Sequence, residues 1–266
     1  MVTLRDLMNL HGRRILITGA AGWLGRTMAD TLAELGATVL LIDRDTNALA
    51  QIAEDLRSRW NVDVFCYETD LEDQAQRARL ISTVCDSCEG LHALINNAAF
   101  VGTSGLSGWA EPFAGQSVET WRRALEVNLT AAFDLCQGFA PLLANASGSI
   151  VNIGSIYGEF GPDWGLYEGT SMANPAAYAV SKGGLLQLTR WLATTLAPKV
   201  RVNAISPGGI SRNQQPSFVE RYEARTPLGR MATEDDFRGA IAYLASDMST
   251  YVTGQNIRVD GGWGSW

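Results

Sequence analysis

Lysine is almost missing from this chain: Lys182 and Lys199 are its only two. Its 21 basic residues are outnumbered by 28 acidic ones, for a formal charge of −7. No basic stripe is available to neutralise phosphates, which argues against a nucleic-acid partner. The acidity mainly implies solubility. Long apolar runs are also missing, since no stretch approaches the roughly 18 residues that a membrane span needs. Arg5, Asp6, His11, Arg13 and Arg14 interrupt the segment where a signal peptide would carry its apolar core. A cytoplasmic protein with no membrane partner is expected. Histidine is limited to His11 and His92, and cysteine to positions 66, 85, 88 and 136. Cys85 and Cys88 form a C-x-x-C with no second pair and no histidine cluster, so a four-ligand zinc site is poorly supported and no metal is expected. Ordinary reduced thiols suit that compartment.

What is present is ample apolar material, 46% of 266 residues, enough for one sizeable core. Residues 13–19 read as a short buried strand that ends in a glycine turn, and a helical pattern follows over 25–35 until Gly36. Residues 37–43 form a second apolar strand. A helix over 45–59 places Leu49, Ile52, Ala53 and Leu56 at helical spacing. Further strands are predicted over 62–67, 91–96, 148–153, 200–205 and 256–260, with a helix over 73–84. Ser117 caps a long helix that runs through Trp121, Leu125 and Leu129 toward Leu135. Strands that alternate with helices and are apolar throughout predict a parallel sheet covered on both faces. The expected class is α/β, a Rossmann fold with a doubly wound parallel sheet of seven strands. No linker or repeat divides 1–266, so one domain is expected. Loops over about 100–116, 158–175 and 208–233 are too long for tight connections and read as substrate loops.

The first strand gives way to a helix at Thr-Gly-Ala-Ala-Gly-Trp-Leu-Gly, residues 18–25. Glycines at 19, 22 and 25 permit a tight turn, and the helix N-terminus behind them attracts a pyrophosphate. A glycine string alone is weak evidence, but this one has the strand–turn–helix context of a dinucleotide site. Trp23 and Leu24 lie inside it. Asp43 closes the second strand, where a carboxylate hydrogen-bonds a ribose and repels a 2′-phosphate, so NAD is favoured over NADP. Arg44 beside it is able to reach a phosphate, which softens that preference.

Tyr178 and Lys182 share a helix face at i and i+4 in Ala-Ala-Tyr-Ala-Val-Ser-Lys. An isolated Y-x-x-x-K is common and usually an exposed chance pair. A lysine used so sparingly, among small uncharged residues, is not a typical solvated charge. A cation there is expected to pull the phenol below its usual value of about 10 and make it a proton-transfer catalyst. With the glycine turn, these residues resemble the short-chain dehydrogenase/reductase family over nearly the whole chain. Asp70-Leu71 resembles the family's adenine contact, and Asn97, Ala98 and Ala99 the segment beneath the cofactor. Asn128, Ser155, Tyr178 and Lys182 fall on the family's catalytic residues. Pro207, Gly208 and Ile210 fall where its backbone grips the carboxamide, and Tyr178 and Lys182 also count among its cofactor contacts. The resemblance implies a hydride-transferring oxidoreductase. In it Tyr178 exchanges the proton, Lys182 lowers the Tyr178 pKa and holds the ribose, Ser155 holds the reacting oxygen, and Asn128 holds a relay water. It also implies a homo-oligomer, a dimer or tetramer, paired through the helices at 117–135 and after Tyr178.

Three departures from the family pattern stand out. The glycine spacing resembles the family's extended branch, with Trp23 where short members carry glycine, although the chain is too short for that branch's extra substrate region. Ser155 and Tyr178 are unusually far apart, so 159–172 forms a loop whose Phe160, Trp164 and Tyr167 either pack as local core or line the substrate pocket. The threonine common after Pro-Gly is missing, with Ser211 or Asn213 as its replacement. Trp164, Glu168, Arg212 and Gln214 suggest polar contacts to a small-molecule substrate, and a sugar, polyol or sugar-derived secondary alcohol is expected. The competing readings are a 3-oxoacyl thioester reductase and a non-catalytic NAD-binding regulator. The apolar tail at 261–266 is expected to dock on a neighbouring subunit.

Overall fold

The computed structural model describes residues 2–100 and 106–266. Part of the loop expected over 100–116, namely 101–105, lies outside the described residues. A one-turn helix, α1 (Leu4–Met8), is closed by a capping box between Thr3 and Asp6. The strands are β1 (Arg14–Thr18), β2 (Thr38–Asp43), β3 (Val64–Glu68), β4 (Ala93–Asn96), β5 (Ser149–Ile153), β6 (Arg201–Pro207) and β7 (Asn256–Val259). Between them run α2 (Trp23–Glu34), α3 (Thr46–Trp60), α4 (Gln74–Ser87), α5 (Val118–Leu125), α6 (Ala131–Asn145), α7 (Ala176–Thr195), α8 (Pro216–Arg225) and α9 (Arg238–Ala245).

All seven strands pair in parallel, in the order β3-β2-β1-β4-β5-β6-β7. Alternation along each strand sorts its side chains to two cores. Ile15, Ile17, Val39 and Leu41 pack with α2, α3 and α9, whereas Leu16, Leu40, Ile42 and Leu94 pack with α4, α6 and the end of α7. The chain winds outward through β1, β2 and β3, then returns to β4 beside β1. That reversal opens a crevice outside the carboxyl ends of the strands, where ligands of such sheets bind.

Four expectations need correction. The sheet is not covered throughout: β3 is an edge strand packed by α3 on one face, and Phe65 on the other is 50% exposed. The long helix after Ser117 is interrupted by a π-helical turn, Glu126–Thr130, between α5 and α6. The segment at 208–233 holds α8, with Pro216 at its first turn. The tail docks on its own subunit. Trp263 is 2% exposed in a third cluster with Ile156, Leu166, Phe218, Tyr222 and Met231, while Trp266 is 73% exposed.

Candidate active site

The glycine turn is locked to the strand beside it. The hydroxyl of Thr18 accepts from the backbone N–H groups of Asn97 and Ala98, each at 3.0 Å. The Asn97 amide donates to the carbonyls of Thr18 (2.9 Å) and Gly19 (3.1 Å). Gly19 has φ +64°, and a Cβ there would sit 2.7 Å from Ala98 Cα. A Cβ on Gly25 would sit 2.2 Å from the Gly19 carbonyl oxygen, so neither position admits a side chain. Helix α2 starts just behind, with Gly22 as an N-cap that supplies no side-chain acceptor, so its first N–H groups face the crevice side unpaired by a cap. Gly22 and Leu24 belong to this cradle, and Trp23 extends from it 71% exposed.

Asp43 ends β2 with its carboxylate tied to the same turn. Oδ2 accepts from Ala21 N at 3.0 Å, and Oδ1 accepts from the backbone of Arg44 (2.8 Å) and Asp45 (3.2 Å). An ionised carboxylate has about four acceptor positions, so Oδ2 keeps one for a ribose hydroxyl. The Arg44 side chain is exposed. After β3, Asp70 accepts from Glu72 N at 2.9 Å, and the buried Arg77 donates to the Leu71 carbonyl at 2.6 Å. Arg77 also pairs with Glu126 and Asp134, each at 2.7 Å, which ties the Asp70-Leu71 bend to the π turn and α6.

After β5, Ser155 is buried, and its hydroxyl accepts from Tyr157 N at 3.2 Å. Helix α7 approaches this segment backbone to backbone: a Cβ on Gly158 would lie 2.9 Å from the carbonyl carbon of Lys182. Tyr178 lies against Ser155, whose hydroxyl partly offsets the rise that burial causes in the phenol's pKa. Lys182 is 2% exposed and lies 5.8 Å from the Tyr178 ring centroid. Its ammonium donates to the Ile153 carbonyl at 2.7 Å. Asn128, buried in the π turn, donates to Ser181 Oγ (2.9 Å) and accepts from Phe100 N (2.5 Å). Such turns replace the regular helical ladder at many functional sites.

The electrostatics differ from the sequence expectation. Burial raises the Tyr178 phenol above its usual value, opposed by the Ser155 hydrogen bond and the charge of Arg212. Lys182 is not among the charges that lower it. Burial instead brings the Lys182 ammonium down to about 8. Both groups are thus pushed toward their neutral forms, as desolvation demands of ionisable groups that lack a charged partner. The Tyr178 phenol is therefore protonated at neutral pH.

On β6, Gly208 N donates to the Val259 carbonyl at 3.0 Å, and Gly209 N donates to Tyr222 Oη at 2.5 Å. Ile210 pairs with Ala232 as an isolated bridge, and its carbonyl accepts from the Gln214 amide at 2.6 Å. Because the strands are parallel, Pro207, Gly208 and Ile210 come at the same end of the sheet as the glycine turn, Asp43, Asn97–Ala99 and Ser155. Ser211 and Asn213 are both exposed. Of the insertion's aromatics, Phe160 and Tyr167 pack with the Trp263 cluster, and Trp164 is 59% exposed.

Sequence reasoning passed over Tyr157, Asn174, Tyr222 and Arg77. Position offered a hint for two: Tyr157 is two residues past Ser155, and Asn174 precedes Pro175 at the start of α7. The four cysteines are unpaired. Among the described residues no group of three or more histidine, cysteine or acidic side chains converges, and no helix is long and apolar enough to cross a membrane.

A family model described as enoyl-(acyl carrier protein) reductase matches residues 19–264. The chain is 32% identical to the 3-oxoacyl-[acyl-carrier-protein] reductase FabG of Thermotoga maritima, covering 96% of this chain and 99% of that protein. Its fold superposes on a gluconate 5-dehydrogenase of Burkholderia cenocepacia solved with NADP and tartrate, with TM-score 0.85, 28% identity, and 99% and 100% of the two chains covered. An NAD+-bound xylitol dehydrogenase matches with TM-score 0.83 and 27% identity, over 95% of this chain and 99% of its own.

Proposed function

The chain belongs to the short-chain dehydrogenase/reductase family, enzymes that act on CH–OH groups with a nicotinamide cofactor, and from that premise we propose an NAD(H)-dependent enzyme that interconverts a secondary alcohol and a ketone on a sugar, polyol or sugar-derived substrate. The observation that carries this reading is Ser155, Tyr178 and Lys182 gathered at the same sheet end as the Gly19–Asn97 lock and Asp43. A nicotinamide dinucleotide fits these residues, because the turn leaves room that any Cβ would fill and the N-terminus of α2 carries no side-chain cap. When bound, it supplies the acceptor for the hydride that leaves the carbinol carbon, or the donor in reverse.

The protein's own residues handle the proton. In the reductive direction, the Tyr178 hydroxyl donates to the carbonyl oxygen as negative charge builds there, while the Ser155 hydroxyl donates a second hydrogen bond to that oxygen. In the oxidative direction, the Tyr178 oxygen takes the alcohol proton. Lys182, with its pKa near 8, passes a proton on readily at neutral to mildly alkaline pH. Asn128 holds the π turn against Ser181 and so positions the route by which that proton leaves.

NAD is preferred to NADP because the Asp43 carboxylate faces the ribose position with one acceptor free and repels a 2′-phosphate. The sugar or polyol class is supported by the likeness to gluconate and xylitol dehydrogenases. The second reading, a 3-oxoacyl thioester reductase, is favoured by the likeness to the Thermotoga protein. A cytoplasmic homo-oligomer, a dimer or tetramer, is proposed as well. Phe133 on α6 and Val180 and Trp191 on α7 remain 42%, 49% and 54% exposed, an apolar surface that suits a subunit contact.

The test is a panel of polyols, sugar acids and 3-hydroxyacyl thioesters, each offered with NAD+ and with NADP+. Turnover of a polyhydroxy alcohol with NAD+ preferred, and loss of that preference in Asp43→Ala, is the expected result. Equal or better use of NADP+ by the wild type overturns the role of Asp43, and preferential turnover of the thioester establishes the second reading.

A further inference from the structure

Asn174 is 6% exposed, and neither its amide oxygen nor its amide nitrogen has a hydrogen-bond partner among the described residues. A buried amide with both atoms unpaired is rare in folded proteins, because each atom forfeits its bonds to water without replacement. Its polar neighbours are two phenol hydroxyls whose rings pack against the Trp263 cluster. The hydroxyls of Tyr157 and Tyr167 bond to each other at 2.7 Å; burial raises both phenols, and the Asn174 amide, close to both but outside hydrogen-bond geometry with either, partly opposes that. Tyr157 follows Ser155 by two residues, Asn174 lies four residues before Tyr178 and just ahead of α7, and Tyr167 is near enough to Tyr178 to add to the rise that burial causes in its pKa. Asn174 and the two phenol hydroxyls therefore cluster close to Tyr178.

An amide offers an acceptor oxygen and, about 2.3 Å away by ordinary covalent geometry, a donor nitrogen. A vicinal diol matches it: one hydroxyl donates to Oδ1 while its neighbour accepts from Nδ2. An acyl chain leaves both atoms unpaired. We propose that Asn174, together with the hydroxyls of Tyr157 and Tyr167, recognises a vicinal diol next to the reacting carbon, making this enzyme selective for polyhydroxylated substrates over acyl thioesters and simple alcohols. The proposal rests on the oxidoreductase reading and deepens it. Because the Asn174 amide is enclosed, the diol displaces the Tyr157–Tyr167 bond on entry, and the segment 159–172 that carries Tyr167 moves outward. That segment is tied by Arg225 to Asp163 at 2.9 Å and by Arg221 to the Glu168 carbonyl at 2.6 Å, and its Phe160, Leu166 and Tyr167 pack against the Trp263 cluster, contacts that the movement must loosen.

The test compares NAD+-linked oxidation of cis-1,2-cyclohexanediol with that of cyclohexanol, in the wild type, Asn174→Leu and Tyr167→Phe. Wild type should favour the diol. Asn174→Leu should lose about 10- to 100-fold in kcat/KM for the diol, chiefly through KM, while its cyclohexanol activity stays within about twofold. It should also melt at or above the wild-type temperature, since removing two unpaired buried polar atoms does not weaken the fold. Tyr167→Phe should show a smaller loss of the same sign. Equal losses on both alcohols, a wild-type preference for cyclohexanol, or a clear fall in melting temperature of Asn174→Leu overturns the assignment and leaves the oxidoreductase standing. No turnover of either alcohol by the wild type overturns the parent reading, and this one with it.

Discussion

Replacing Lys182 by methionine separates the energetic cost of the buried ammonium from its use in catalysis. Lys182 is 2% exposed, and among the described residues its one hydrogen bond is to the Ile153 carbonyl. Burial brings its pKa from 10.5 down to about 8. The folded state therefore releases the proton more readily than the unfolded chain, and between those two values the unfolded chain holds more protons. Stability conferred at this site is absent below pH 8, rises with pH through the window from about 8 to about 10.5, and is complete above it. Integrated from pH 7 to pH 10, the wild type should gain about 2–3 kcal/mol relative to Lys182→Met. A constant offset from the lost hydrogen bond to Ile153, about 1–3 kcal/mol, cancels in that difference. Urea unfolding of both proteins at several pH values gives the quantity directly. A stability difference that stays flat from pH 7 to pH 10 would show that the ammonium is solvated or paired, and would refute the burial described here.

Arg77→Met should destabilise the fold by about 3 kcal/mol, since it strands two carboxylates beside an apolar side chain; thermal or urea unfolding measures it. Glu126 and Asp134 are 34% and 31% exposed, so water recovers part of the loss. Arg212→Ala should move the alkaline limb of the oxidation rate to higher pH, because that cation favours the Tyr178 phenolate. Arg212→Lys should restore most of it, and a pH–kcat/KM profile of the three proteins decides the matter.

The element order was legible because each central strand is an apolar run bounded by glycine or polar residues, the pattern that two covering layers of helices impose. The edge strands escaped that logic. Phe65 is as apolar as Leu40, but position in the sheet, which residue type does not encode, leaves one exposed and the other buried. The π turn at 126–130 was invisible because the apolar spacing of α5 and α6 continues across it with one extra residue. The C-terminal tryptophans look alike in sequence. Trp263 found a partner in the loops at 158–175 and 216–231, which no local pattern links to it, and Trp266 did not. At the site, motifs nominated the residues, but the sign of the Tyr178 shift depended on how deeply the phenol lies. The lysine's distance and its bond to Ile153 removed the expected counterweight. Asn174 was passed over because an asparagine before a proline-led helix reads as a surface cap, and only the packing of Tyr157 and Tyr167 encloses it.

The most direct test of a tyrosine-driven hydride transfer is the rate of NADH formation from a polyhydroxy alcohol by Tyr178→Phe beside the wild type. The account predicts a loss of about 10²- to 10⁴-fold in kcat, the usual contribution of a positioned acid–base group, with NADH affinity within a few-fold of the wild type. A variant that keeps wild-type turnover would contradict it, because the proton would then be moving without the phenol.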